Sequence, residues 1–208
     1  MTRTTLLLYA LASFTVTVIP GPTTLLALAN GASRNWRVAG MGIVGAALSD
    51  LLLIGAVSIW LGTLLAASET LFSLVKWVGV CYLIWLGIQL WRSKPFGVSG
   101  QSTSVTTSPM RAFVRSLAVA LSNPKGLLFF SAFLPQFINI GQPLAIQYLL
   151  LALLSATIDI VVMACYAAGG SQAAKLLTSR GLRRLNRACA SVMLSLAAFL
   201  ALYRRTNA

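Results

Sequence analysis

The chain is predicted to be an all-α integral membrane protein of six transmembrane helices. These form two inverted three-helix repeats, with helices one and four broken at proline. Three observations predict this class. Of 208 residues, 58% are hydrophobic and 9% charged, and the mean hydropathy is +0.84, outside the range of soluble domains. Apolar runs of about 20 residues, the length that crosses a bilayer, recur along nearly the whole chain. Proline interrupts two of these runs at corresponding places, one in each half.

Charge narrows the class further. There are 16 Lys+Arg, 3 Asp+Glu and no His, for a net charge of +13. A nucleic-acid-binding domain clusters its cations on a polar fold. Here they lie between apolar blocks, so the expected partner is the lipid bilayer and not nucleic acid. Cys81, Cys165 and Cys189 fall within or beside apolar runs with no CxxC pairing. They read as small buried hydrophobes. No metal, other cofactor or catalytic function is expected. Arg3 followed by an apolar run resembles the start of a signal peptide, but the next run follows at helix-pair distance, which favours a retained span.

The first apolar run covers about residues 5–30 and contains "TVIPGPTT", from Thr17 to Thr24. Proline removes a backbone donor and clashes with the preceding turn, at about 3 kcal/mol in a helix interior. The second run, about 38–67, carries Asp50 and two pairs of small residues, Gly42/Ala46 and Gly45/Ser49, suited to close helix packing. The third covers about 70–92. It opens on Glu69, an ordinary first-turn acid, and holds Lys76, which reaches the interface by extending its stem. A Ser/Thr/Gly/Pro-rich linker from Ser93 to Met110 reads as flexible. The fourth run, about 111–138, contains "SNPKGLLFFS"; the fifth, about 143–170, carries Asp159; the sixth covers about 187–204. Runs one, two, four and five exceed the minimum span, which implies tilt or a break. The whole, 1–208, reads as a single membrane domain, with repeat one at about 1–92 and repeat two at about 111–208.

Basic residues set the orientation. Arg34, Arg37, Arg92, Lys94, Arg111, Arg115, Lys175, Arg180, Arg183, Arg184 and Arg187 flank the loops after helices one, three and five. Arg3, Arg204 and Arg205 fall on the opposite side. The loops after helices one, three and five are therefore expected in the cytoplasm, with both termini outside. Several of Trp36, Trp60, Trp77, Trp85 and Trp91 serve as interfacial anchors in this reading.

The two breaks correspond. "PGPTTLLALA" aligns with "SNPKGLLFFS", setting Pro22 against Pro124 and Leu25-Leu26 against Leu127-Leu128. The following helix in each half carries an aspartate, Asp50 or Asp159. The proline-to-aspartate spacings differ by about seven residues, two helical turns, which keeps the helix face. Paired broken helices in inverted repeats point to the binding site of a secondary transporter. Gly21-Pro22 and Asn123-Pro124 each place a cap-type residue before a proline at the first helical position, so both read as new helix starts in mid-membrane. A helix start suits a carboxylate. The candidate substrate and proton site is therefore Pro20, Gly21, Pro22, Thr23, Thr24, Asp50, Asn123, Pro124, Lys125 and Asp159. A carboxylate at mid-membrane costs about 2.5–3.5 kcal/mol on insertion scales, so it faces a cavity or a partner. Asp50 and Asp159 can hold a substrate ammonium, carry a proton, or pair with Lys125. Tyr82 and Tyr166 read as interface or core.

At these residues the chain resembles the LysE/RhtB-type amino acid exporters almost end to end. The resemblance rests on "PGP" (Pro20 to Pro22), the glycine-rich run ending at Asp50, "KWVGVCYLIWLGIQLWR" (Lys76 to Arg92) and "NPKGLLFFSAFLPQF" (Asn123 to Phe137). Lys76 to Arg92, with "IDIVVMACYA" (Ile158 to Ala167), looks most like the homoserine/homoserine lactone and threonine exporters of that family. The resemblance implies a multi-pass carrier of the bacterial inner membrane that exports small amino acids and is driven by protons. Two departures bear on close packing. Ser49 stands where the family has glycine, and the last helix, "ASVMLSLAAFLALY", lacks the usual glycines.

The expected function is thus export of small neutral amino acids by proton antiport. A metal-ion exporter is the nearest alternative, with a thin ligand set of two deep acids and no His. A membrane thiol-electron carrier needs cysteines that can pair beside the breaks, and the sequence has none there. Assembly into homo-oligomers is left open. The orientation makes a direct prediction. Cysteines introduced between Ser93 and Met110 resist an impermeant thiol reagent added to intact cells, while a C-terminal tag is reached from outside. Labelling of the linker from outside overturns the orientation.

Overall fold

The computed structural model describes residues 1–65, 69–92, 108–139, 141–176 and 179–202, and all regular structure among them is helical. Helix α1 (Arg3–Val18) starts under Thr2, whose side chain accepts the Thr5 N–H, and ends before "IPGP". Helix α2 (Pro22–Ala32) starts with proline at its first turn. Gly21 ahead of it is extended, at φ −154° and ψ −174°, the conformation that a following proline enforces. The two helices meet at a 63° bend. Helix α3 (Trp36–Leu65) and helix α4 (Glu69–Arg92) complete the first half.

Helix α5 (Pro109–Leu121) and helix α6 (Pro124–Leu128) mirror the first break, with a 50° bend. Helix α6 passes into a π-helical turn (Phe129–Phe133) and a 3₁₀ turn (Leu134–Phe137). Helix α7 (Leu144–Leu176) and helix α8 (Ser179–Leu202) follow. Helices α3 and α7 each contain a stretch long and apolar enough to cross a membrane, Trp36–Ile59 and Leu144–Gly169. Each bent pair passes the same test as a unit.

Several boundaries differ from the sequence expectation, each for a local reason. Ser108 to Met110, expected in the linker, start α5: Ser108 accepts the Arg111 N–H and Pro109 takes the first helical position, as caps and prolines do. Helix α8 begins at Ser179, so Arg183, Arg184 and Arg187 belong to a helix and not to a loop. Their exposure is compatible with helix, and Arg187 lies 5.7 Å from the Trp91 ring centroid at the end of α4. The linker over 93–107 lies outside the described residues, as do the side chains of Glu69, Lys76, Tyr82 and Lys175.

Packing joins the two halves. Helix α3 lies against α5 and α7, α7 against α1 and α2, and α4 against α8. Lipid gives no hydrophobic drive between helices, so close approach depends on small residues. A Cβ on Gly45 would meet the Phe113 carbonyl and, at 3.2 Å, the Leu117 nitrogen of α5. One on Gly42 would meet the Asn30 amide and, at 3.1 Å, the Ser116 hydroxyl. Gly31 of α2 abuts the Ala167 carbonyl of α7, and Gly87 of α4 would meet Leu194 of α8 at 2.9 Å. Ser49 fits without glycine because its hydroxyl folds back onto the Ala46 carbonyl at 2.7 Å. Beside these seams is an aromatic cluster of Tyr9, Phe129, Phe133 and Phe137, with neighbouring ring centroids 4.8–6.1 Å apart. The Tyr9 hydroxyl pairs with Ser155 at 2.6 Å in the interior.

The α3–α5 seam yields a prediction. Gly45→Val forces backbone apart and costs about 1–3 kcal/mol. Gly40→Ala, where an added Cβ meets nothing within 4 Å, leaves stability unchanged or slightly raised. Thermal unfolding in detergent separates the two, and equal melting temperatures would remove the seam from the account.

Candidate functional site

The double proline determines which carbonyls of α1 lack a helical partner. In an α-helix the N–H of residue i bonds the carbonyl of residue i−4. Pro20 therefore leaves Val16 without its donor, and Pro22 leaves Val18 without its own. Both carbonyls are bonded from elsewhere in the fold. The Lys125 ammonium donates to Val16 O at 2.8 Å and to Ile19 O at 3.0 Å. The Tyr166 hydroxyl of α7 donates to Val18 O at 2.8 Å. The Gly21 N–H, which would have served Thr17, goes to the Thr24 hydroxyl at 2.7 Å.

The second break answers the first. Asn123 caps α6 by accepting the Lys125 N–H at 3.1 Å, and its amide donates to Thr23 of α2 at 2.9 Å. One end of Asn123 thus starts its own helix while the other holds the opposing one. The two breaks are stitched together by Asn123–Thr23 and Lys125–Val16/Ile19.

Between them lies a cavity of about 50 Å³, space for a few water-sized groups. Its polar walls include Thr23, Ser49, Asp50, Asn123, Lys125 and Asp159. Phe129 and Phe130 line it as well. Asp50 comes from α3 and Asp159 from α7, so both acids and the lysine converge from separate helices. Asp159 is only 6% exposed, and its Oδ2 has no hydrogen-bond partner. Both carboxylates line the same cavity as the Lys125 ammonium. Among the described residues no ion pair within 4.0 Å joins Lys125 to either of them.

Of the residues expected at the site, Thr23, Asp50, Asn123, Lys125 and Asp159 share this cavity. Thr24, at 1% exposure, turns inward to close the α2 start on Gly21. Pro20, Gly21, Pro22 and Pro124 are not among its lining residues; the first three create the break and the last opens α6. At the α6 start Asn123 accepts the Lys125 N–H, whereas at the α2 start the Thr24 hydroxyl accepts the N–H of Gly21, ahead of the helix, and no side chain caps the first-turn N–H groups. Lys125 bonds backbone and forms no direct pair with an aspartate. Tyr166, read from sequence as interface or core, has a definite partner in Val18 O. The signal was present: each proline orphans the carbonyl four residues earlier, and a membrane interior must provide a donor for it.

Proline-broken membrane helices cross-linked around two carboxylates define a helical membrane protein organised about a polar centre. The chain belongs to the LysE type translocator family, whose model matches residues 14–204. It is 34% identical over 194 residues to the homoserine/homoserine lactone efflux protein of Salmonella typhi, covering 93% of this chain and 94% of that one. An uncharacterized membrane protein of Vibrio cholerae is 32% identical over 196 residues, 94% and 95% of the two chains. The leucine efflux protein of Salmonella choleraesuis is 29% identical over 160 residues, 76% and 73%. No solved structure matches the chain.

The capping scheme is testable by coupling. Tyr166→Phe leaves Val18 O without its donor and lowers stability by about 1–3 kcal/mol. In a Pro22→Ala background the backbone N–H restored at position 22 becomes available to Val18 O, and Tyr166→Phe costs less. A double-mutant cycle on melting temperature measures the coupling; strictly additive effects would show that tyrosine and proline do not share this carbonyl.

Proposed function

We propose that the chain is a secondary active exporter of small neutral amino acids, such as homoserine, homoserine lactone or threonine, that exchanges them for protons across the bacterial inner membrane. The observation that carries this reading is the cavity shared by Asp50, Asp159 and Lys125 at two cross-linked helix breaks. Family membership and similarity to the homoserine/homoserine lactone and leucine efflux proteins support it.

In this reading the chain is one domain of six spans, two repeats of opposite topology about the linker. Each repeat contributes a broken helix, an aspartate-bearing helix and a final helix. The Met1 ammonium donates to Gln142 at 2.8 Å, in keeping with an N-terminus and an α6–α7 turn on the same, outer side. Arg187 over Trp91 is in keeping with the α4 end and the α8 start both lying at the cytoplasmic side.

The substrate carboxylate, or in homoserine lactone the ester carbonyl, meets Lys125 and the hydroxyl of Thr23, and its ammonium takes the unpartnered Oδ2 of Asp159. Asp50 then carries the exchanged proton. Access alternates as one repeat rocks against the other, widening the cavity on one side at a time. One charge moved through 100 mV is worth about 2.3 kcal/mol. At about 1.4 kcal/mol per tenfold, that sustains roughly a 40-fold substrate gradient. A lysine substrate would bring a second positive charge beside Lys125, with two acids to meet it, so neutral substrates are preferred.

The competing readings have less support. Among the described residues no three His, Cys, Asp or Glu side chains gather as a metal site. Only Cys189 is buried in the hydrophobic core, whereas Cys81 and Cys165, expected to be buried, are exposed; the described cysteines are all free thiols, none of them lining the cavity.

Flux in reconstituted vesicles, with and without an imposed pH gradient, tests the roles. Asp50→Asn is expected to lose uphill export while keeping downhill exchange. Asp159→Asn loses both through weaker substrate binding. Full gradient-driven export by both variants removes the carboxylates from the mechanism, and lysine competing as strongly as homoserine overturns the neutral-substrate assignment.

A further inference from the structure

We propose that the broken end of α1 is a site for a small monovalent cation, and that the Lys125 side chain is its permanent, chain-borne occupant. The ligands are on hand. Val16 O and Ile19 O converge within 3.0 Å of the Lys125 nitrogen. Pro20 deprives Val16 O of a helical donor, so this acceptor needs a cation or a donor in any state of the protein. The carbonyl end of a helix carries the negative end of its dipole, and half-helix ends of this kind coordinate sodium in other transporters. Two carboxylates line the same cavity, and Asp159 Oδ2 is buried without a hydrogen-bond partner. An ammonium and an alkali cation of similar size satisfy the same oxygen set; the difference is that Lys125 cannot leave.

The consequence concerns coupling. A tethered cation keeps the carbonyls occupied through every conformation, so no inorganic cation is exchanged at this place and transport is independent of sodium and potassium. In this respect the inference deepens the exporter reading, but the site rests on the α1 carbonyls and is tested without transport.

The test is thermal unfolding of the purified full-length chain in sodium, potassium or methylammonium chloride against choline chloride at equal ionic strength. Wild-type protein is expected to melt at one temperature in all four. Lys125→Ala melts lower in choline and recovers saturably in at least one small cation. At about ten times Kd the linkage relation gives a rise of about 3–6 °C for a chain of this size. Lys125→Ala with Asp159→Asn loses most of that response. Identical melting of Lys125→Ala in every salt overturns the proposal. Lys125→Ser is the second variant. Failure of both variants to fold even in saturating small cation overturns it too, because a free cation should replace the tethered one. An absence of amino acid flux in vesicles alongside a clear cation response removes the exporter reading and leaves the site.

Discussion

Two carbonyls that proline has deprived of their donors organise this protein. Water would satisfy Val16 O and Val18 O in a soluble helix, but a bilayer core has none, and an unsatisfied group there costs several kcal/mol. The donors come from α6 and α7, beyond the linker: the Lys125 ammonium and the Tyr166 hydroxyl. The break in α1 therefore requires the second half to be in place. The 63° bend is held open by side chains that bond its exposed carbonyls.

The reciprocal contact runs through Asn123. Its amide oxygen starts α6 and its amide nitrogen holds Thr23, so a single side chain serves as cap and cross-link. With Lys125 next but one along the chain, a few residues of one half fix the geometry of the other. The polar cavity is the space these caps leave between them. Polar groups in its wall are there because backbone needs them or because a ligand does, and the two classes can be told apart. Asn123 and Thr24 are committed to helix ends, whereas Asp159 keeps an oxygen with no partner. That difference, more than the presence of charge, sets Asp159 apart from the other polar residues of the cavity.

Close packing supports the arrangement from outside. Gly45 brings α3 onto the backbone of α5, Gly31 brings α2 onto the backbone of α7, and Gly42 leaves room for the Asn30 and Ser116 side chains, so the aspartate-bearing helices are held close against the broken ones. Ser49 replaces a small residue at the cavity wall without loosening this seam, because its hydroxyl is absorbed by its own helix. Interior packing tolerates a hydroxyl where the next turn offers an acceptor; it does not tolerate a Cβ where the next helix offers a carbonyl.

Much of this was determined by the sequence alone. Hydropathy specified membrane helices, Pro20 and Pro22 specified a break with orphaned acceptors at Val16 and Val18, and Asn123-Pro124 specified a second helix start. These are local consequences of backbone chemistry, which depends on residues a few positions apart. The boundaries of α5 and α8 are also written locally, in the Ser108 cap and in the exposed Arg183, Arg184 and Arg187, but composition assigns those residues to loops. Which donor meets which orphan was decided only by tertiary structure. Lys125 and Tyr166 lie 109 and 148 residues from the carbonyls they serve, and no pattern in the chain ties a donor to an acceptor at that distance. The commitment of Lys125 to backbone instead of an aspartate follows for the same reason: pairing in a bilayer depends on which acceptor is both unsatisfied and within reach, and reach is a property of the folded helices.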